Sequence, residues 1–170
     1  VDARHDPSPY AMTRVALAPT SLVHSVTADD LALLAEFARE HGLRMHSHLK
    51  EVARDDEIAR ERHGLNALEY ADSVGWTGPD VWFAHLVHLE ASDAQRLAET
   101  GTGLSHCPVS NCRLGSGICP VPELAERGVP ISLGVDGSAS SESGSISNEA
   151  MMAFLLHRAA AGPGATTPEG

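Results

Sequence analysis

The feature that most constrains the fold is a fivefold alternation of short apolar runs with helix-like segments. The runs are R-V-A-L-A (14–18), L-R-M-H-S-H (43–48), V-W-F-A-H-L (81–86), T-G-L-S-H (102–106) and V-P-I-S-L-G (129–134). Between the first two, Thr27 opens a T-x-x-D capping pattern, and Leu31, Leu34, Ala35 and Ala38 recur at helical spacing before Gly42 closes the segment. Charged helices are predicted over 53–62 and 66–73. Ser92 and Gln95 form a predicted capping box for a helix to Thr100, closed by Gly101. A loop rich in Ser, Asn, Gly and Pro is predicted up to Pro122, which suits the first turn of a helix ending at Gly128. A last helix is predicted over 146–160. Strand–helix repetition calls for a parallel sheet, because parallel neighbours need a long crossover between them.

Two parallel architectures compete, a doubly wound open sheet and part of a barrel, and the polar residues separate them. His48 with Glu51, then His85, His106 and Asp136 fall at or just after the carboxyl ends of successive runs. In a barrel those ends converge on one site, whereas an open sheet brings together only the strands at its switch point. The chain is therefore read as α/β, the C-terminal part of a (β/α)8 TIM-type barrel, with five of the eight strands a whole barrel needs. A leading loop is expected over 1–13, the partial barrel over 14–160 and a flexible tail over 161–170. The start, V-D-A-R-H-D-P, has neither an initiator Met nor the apolar core of a signal peptide, and suggests a piece of something longer.

Composition narrows the function classes. A formal charge of −11 argues against nucleic acid and anionic membranes as partners. No apolar run approaches the ~20 residues of a spanning helix. Ten histidines in 170 residues point toward metal or acid–base chemistry. Cys107, Cys112 and Cys119 match neither a disulfide framework nor a C-x-x-C zinc site, so free thiols in a reducing cytoplasm are expected.

The stretch M-H-S-H-L-K-E, Met45 to Glu51, carries the densest chemistry. His46 and His48 share one face of a strand, and Glu51 follows just past its end. An imidazole on a metal with a carboxylate beside it can activate water at neutral pH. Taken singly, each residue has a plainer reading: histidines on a half-buried strand, a core histidine at 85, a turn-capping aspartate at 136. The ordered set is far more specific than its members. Ser138, Ser140 and Ser141 have no G-x-S-x-G elbow and read as a flexible loop. Gly115-Ser116-Gly117 is too short for a dinucleotide fingerprint.

The order H-x-H-x-x-E, A-H, S-H-C-P-x-S-N, L-G-V-D-G resembles the amidohydrolase superfamily, in the branch of guanine and cytosine deaminases and s-triazine hydrolases. Residues 106–118 and 134–140 are most similar to its 8-oxoguanine deaminases, and L-R-M-H-S-H-L and D-V-W-F-A-H-L-V to its isoxanthopterin deaminases. The resemblance implies barrel strands four to eight. It makes His48 the fifth-strand metal ligand, Glu51 the proton shuttle and His85 the sixth-strand histidine beside the attacking water. Asp136 becomes the eighth-strand metal ligand and general base, and Asn111 a substrate-contact candidate. His46 accompanies His48 without being assigned as a ligand. The implied cofactor is one divalent metal, zinc first and iron as the alternative. The implied reaction is hydrolytic deamination of a guanine-, 8-oxoguanine- or pterin-like heterocycle, with s-triazine dechlorination or a catalytically inactive structural module as alternatives. Homo-oligomers, dimers or larger, are expected from the same resemblance. The family also binds its metal through a first-strand H-x-H pair for which this chain has no candidate. The 170 residues alone are therefore expected to hold metal weakly and to lack activity.

Overall fold

A computed structural model describes residues 4–8 and 10–166. Five strands, β1 (Ala16–Leu17), β2 (Arg44–Leu49), β3 (Val81–His85), β4 (Gly103–His106) and β5 (Ile131–Leu133), form one parallel sheet in the order β1-β2-β3-β4-β5. That order decides between the two architectures. Sequential parallel strands joined by right-handed crossovers keep every crossover on one face, whereas a doubly wound sheet reverses direction at a switch point. The sheet is the partial barrel read from the sequence.

Alternation along β2 sets the two faces. Met45, Ser47 and Leu49 are buried while His46 and His48 are half-buried, so the histidines share a face as their spacing predicts. The apolar side rests on α1 (Ala28–Glu40), which buries Leu31, Ala35 and Ala38, and on Trp76, whose indole N–H donates to the Leu31 carbonyl at 2.8 Å. Thr27 caps α1 by accepting the Asp30 N–H at 3.2 Å, as its T-x-x-D pattern predicts. The crossover after β2 contains α2 (Arg54–His63) and α3 (Ala67–Ser73), and α4 (Ala91–Thr100) follows β3.

Three expectations need correction. The cap of α4 is Glu90 rather than Ser92: Asp93 accepts the Glu90 N–H at 2.8 Å, so the helix starts two residues earlier than the serine suggests. The segment after β4 is not all loop, because Pro108–Leu114 forms α5 with its proline in the first turn. The serine-rich stretch contains a short α7 (Ser138–Ser141), after α6 (Val121–Glu126), and the hydroxyls of Ser140 and Ser141 are engaged rather than loose. The last helix, α8 (Ile146–Ala161), buries Glu149 and His157 while Ile146, Met151 and Leu155 stay exposed. Glu149 accepts the Val109 N–H at 3.1 Å, which ties α8 to the first turn of α5. Beyond α8, Arg158 donates to the carbonyls of Pro163 (2.8 Å) and Thr166 (3.2 Å), and the tail residues 167–170 lie outside the described residues. No helix among the described residues is long and apolar enough to cross a membrane.

His106 is also placed differently from expectation. It ends β4, but its ring lies 5.6 Å from that of His157 on α8, and neither of its buried nitrogens has a hydrogen-bond partner. A strand-end position does not fix which way a side chain turns, and the alternation that turns Ser105 one way turns His106 the other. Burial, then the nearby rings of His157 and His85, push the His106 imidazole down to about 4. A histidine held neutral in the fold favours unfolding once it must take a proton. Its contribution is complete above the free value near 6.5 and is lost as pH falls toward 4. The loss expected across that window is about 3 kcal/mol. Urea midpoints at pH 7 and pH ~4.5 check it, and His106→Leu should flatten the slope in this window.

Candidate active site

Three strand ends deliver the site. At each, the chain turns through a left-handed residue that is not glycine: Lys50 (φ 53) after β2, His85 (φ 77) ending β3, and Asp136 (φ 57) after β5. Together these turns bring His48, His85 and Asp136 close, with one donor atom from each within 4.8 Å of the others. His48 Nε2 is 3.8 Å from Asp136 Oδ1, and its Nδ1 meets the Thr20 carbonyl at 2.8 Å. His85 is fully buried, with Nε2 3.7 Å from Glu51 Oε2 and 4.0 Å from Asp136 Oδ2. Its Nδ1 meets Asn111 Oδ1 at 2.8 Å, and Nε2 has no partner.

Asp136 is held by hydroxyls. Burial alone would raise its carboxyl, but hydrogen bonds from Ser110 Oγ (2.5 Å), the Gly137 N–H and Ser140 Oγ (3.1 Å) hold it below the usual carboxylate value. It is thus ionised at neutral pH. Glu51 is anchored through its backbone, whose N–H donates to Asp55 Oδ2 at 3.1 Å, and its side chain accepts from Ser116 Oγ at 3.4 Å. A cleft of about 340 Å³ opens over these groups, lined among others by Thr20, Ser21, His24, Glu51, Leu114 and Asp136.

Behind the cleft lies a charge cluster. The Lys50 side chain is fully buried and turns away from the site, with Nζ 2.6 Å from Asp56 on α2 and 2.8 Å from Asp93 on α4. Asp56 also accepts the Ala67 N–H (2.9 Å), and Asp93 accepts from Asn66 Nδ2 (3.1 Å). The Lys50 carbonyl accepts the N–H groups of Val87 (2.9 Å) and His88 (3.1 Å). One residue therefore pins the end of β2, the loop after β3 and two helices.

The structure brings His48, Glu51, His85 and Asp136 together. Asn111 is fully buried on α5 against His85. His46 stays below the cluster, its ring stacked on Trp82 at 4.9 Å and its Nδ1 3.1 Å from the Trp82 carbonyl. Sequence reasoning missed Ser110, Ser140 and Lys50. Pro108 in the first turn of α5 was the available signal for the first, and acids on the helices after a strand-end lysine for the last. Burial is the first cause that pushes the Cys107 and Cys119 thiols up to about 12, so neither is a thiolate at neutral pH.

The donor set fits a metal ion. Two imidazole nitrogens and one carboxylate oxygen form the three-ligand set that catalytic zinc sites use, and the unpartnered buried Nε2 of His85 faces the same point. Zinc and iron both accept such donors. The chain itself supplies three donors once His85 joins the two ligands expected from the sequence.

Comparison with known proteins gives the chain its family. The chain is 48% identical over 158 residues to isoxanthopterin deaminase from an unknown prokaryotic organism, covering 93% of this chain and 33% of that protein. It is 46% identical over 165 residues to 8-oxoguanine deaminase of Pseudomonas aeruginosa, covering 97% of this chain and 36% of that protein. Among solved structures, atrazine chlorohydrolase from Arthrobacter aurescens, complexed with zinc, superposes with a TM-score of 0.90 at 27% identity, covering 95% of this chain and 35% of that one. The chain thus spans about a third of the length of these relatives. The amidohydrolase family model matches residues 1–168, and the chain belongs to the amidohydrolase family.

Proposed function

We propose that the intact protein is a metal-dependent hydrolase that removes an amino group from a nitrogen heterocycle of the guanine, 8-oxoguanine or pterin type, releasing ammonia. The observation that carries this reading is the meeting of His48, His85 and Asp136 at the strand ends with Glu51 beside them. Zinc is the proposed metal, with iron as the alternative, held by His48 and Asp136 with His85 within reach. Such an ion, when bound, supplies Lewis-acid polarisation and lowers the pKa of water toward ~7.

The residues of this chain divide the remaining work. Asp136, ionised and steadied by two serine hydroxyls, takes a proton from the attacking water. Glu51 delivers a proton to a ring nitrogen, which makes the carbon bearing the amine more electrophilic. The water oxygen bonds to that carbon, Asp136 passes the proton it took to the amino nitrogen, the C–N bond breaks and neutral ammonia leaves; the second water proton returns to Glu51, and the ring nitrogen keeps the one it received. An oxo-heterocycle remains. The substrate is proposed as a small molecule, and the compartment as the cytoplasm.

A second reading keeps the site and changes the leaving group to chloride, and the likeness to the atrazine chlorohydrolase supports it. Ammonia and chloride release by the protein extended over the length of its relatives, assayed on 8-oxoguanine, isoxanthopterin and a chloro-s-triazine, separates the two. Ammonia from the first two alone is the expected outcome. Release from none of them overturns the proposed function. Asp136→Asn should reduce the metal content of the extended protein at least tenfold, checked by atomic absorption, because it removes one of the three donors brought together among the described residues.

A further inference from the structure

Asn111 does not line the cleft. It is fully buried on α5, and its Oδ1 lies 2.8 Å from Nδ1 of His85, itself fully buried. The next residue back, Ser110, sends its hydroxyl to Asp136 at 2.5 Å. A single turn of one short helix therefore addresses two of the three metal-donor residues from behind. α5 is itself fixed at both ends, by Glu149 on the Val109 N–H and by the Ser116 N–H donating to the Asn111 carbonyl at 2.9 Å.

We propose that Asn111 is a positioning residue: by accepting the Nδ1 proton of His85, it fixes the tautomer in which Nε2 presents a lone pair to the site. A neutral imidazole carries one N–H and one lone pair, and the partner of one nitrogen decides the state of the other. An amide oxygen can only accept, so it selects Nδ1–H. Nε2 then meets Glu51 at 3.7 Å, Asp136 at 4.0 Å and the shared donor point as a base or ligand. This specifies how His85, which the resemblance places beside the attacking water, can act. In this tautomer it accepts or coordinates, and the donors to developing negative charge must be other groups. The reverse amide orientation would place Nδ2 on Nδ1 of His85 and leave an N–H on Nε2, aimed at two carboxylates. The two arrangements are chemically distinct and can be told apart.

The tautomer is measurable on this chain without metal or substrate. Nitrogen-15 NMR of histidine-labelled protein at pH ~8.5 separates the Nδ1–H from the Nε2–H form by ring shifts, with His85 identified by the signal lost in His85→Gln. The expected result is Nδ1–H for His85 in the wild-type chain, retained in Asn111→Asp, which keeps the acceptor. Asn111→Leu should move it to Nε2–H or a mixture. An Nε2–H form in the wild-type chain overturns the proposal, as does an unchanged His85 spectrum in Asn111→Leu. If the leucine variant does not fold, the wild-type and aspartate spectra still decide. The consequence for catalysis rests on the proposed function: in the extended protein, Asn111→Leu should lower kcat about 10- to 100-fold with KM little changed, and Asn111→Asp should restore most of it. Failure of the extended protein to release ammonia would remove that reading and leave the tautomer result standing.

Discussion

Replacing Lys50 by methionine is expected to destabilise this chain by about 3–5 kcal/mol, the cost of breaking a buried ion cluster from one side. The methionine fills the space of the lysine stem, so cavity formation contributes little. What it removes is the positive charge between Asp56 and Asp93, which lie 2.6 and 2.8 Å from Nζ and are 8% and 2% exposed. Two carboxylates would remain with little access to water, next to one another. A domain of this size has about 5–15 kcal/mol in total, so the variant should unfold at a much lower urea concentration. Lys50→Met combined with Asp56→Asn and Asp93→Asn removes all the charge together and should regain most of the loss, since neutral replacements of whole buried clusters are often tolerated. A single variant within ~1 kcal/mol of wild type would show that the cluster is weakly coupled to the fold.

The second large effect concerns chemistry rather than folding. In the extended protein Glu51→Gln should lower turnover about 10²- to 10⁴-fold, the range attributed to a positioned acid–base group. Stability should hardly change, because a glutamine side chain can still accept from Ser116 and the backbone N–H still donates to Asp55. Metal content should hold as well, since Glu51 is outside the donor group of His48, His85 and Asp136. Full turnover by the variant would remove Glu51 from the acid–base role, whereas an extended wild-type protein without turnover would favour a barrel that serves only as a structural module. Lys50 and Glu51 are neighbours in sequence, yet one variant should fail in the urea titration and the other in the assay. The left-handed turn at Lys50 explains the split: it sends one side chain into the helices and the next toward the cleft.

How much of this was legible beforehand depended on whether the signal was local. The strands were, because each is a short apolar run closed by turn chemistry. That His48, Glu51, His85 and Asp136 would lie together was legible because a parallel sheet puts its strand ends at the same edge. The same rule misled for His106, whose ring turns to His157 instead. Position along a strand is written in the sequence, but the facing of its last residue depends on how the backbone leaves the sheet. Helix α5 escaped notice because seven residues are too few to show a period, and Ser, Asn and Cys are poor helix formers. Its stability comes from packing on α8 and from Glu149, a residue 40 positions away from the N–H it accepts. The Lys50 cluster was invisible for a related reason. Its partners lie on two different helices, and nothing local distinguishes a buried aspartate on a charged helix from an exposed one.

The turns at the strand ends have a further consequence for how the protein can be improved. An L-residue held at left-handed φ costs about 1–2 kcal/mol, less for aspartate, whereas glycine is at ease there. At His85 (φ 77) and Asp136 (φ 57) the backbone would be relaxed by the one residue that has no donor atom to offer. Heat resistance and turnover therefore pull these positions in opposite directions. A screen for thermal survival, blind to activity, would weigh that relaxation at 136 against the hydrogen bonds from Ser110 and Ser140 that glycine gives up. A glycine that survived such a screen would have given up a donor that the proposed metal site uses, so thermostability engineering here has to begin by holding positions 85 and 136 fixed.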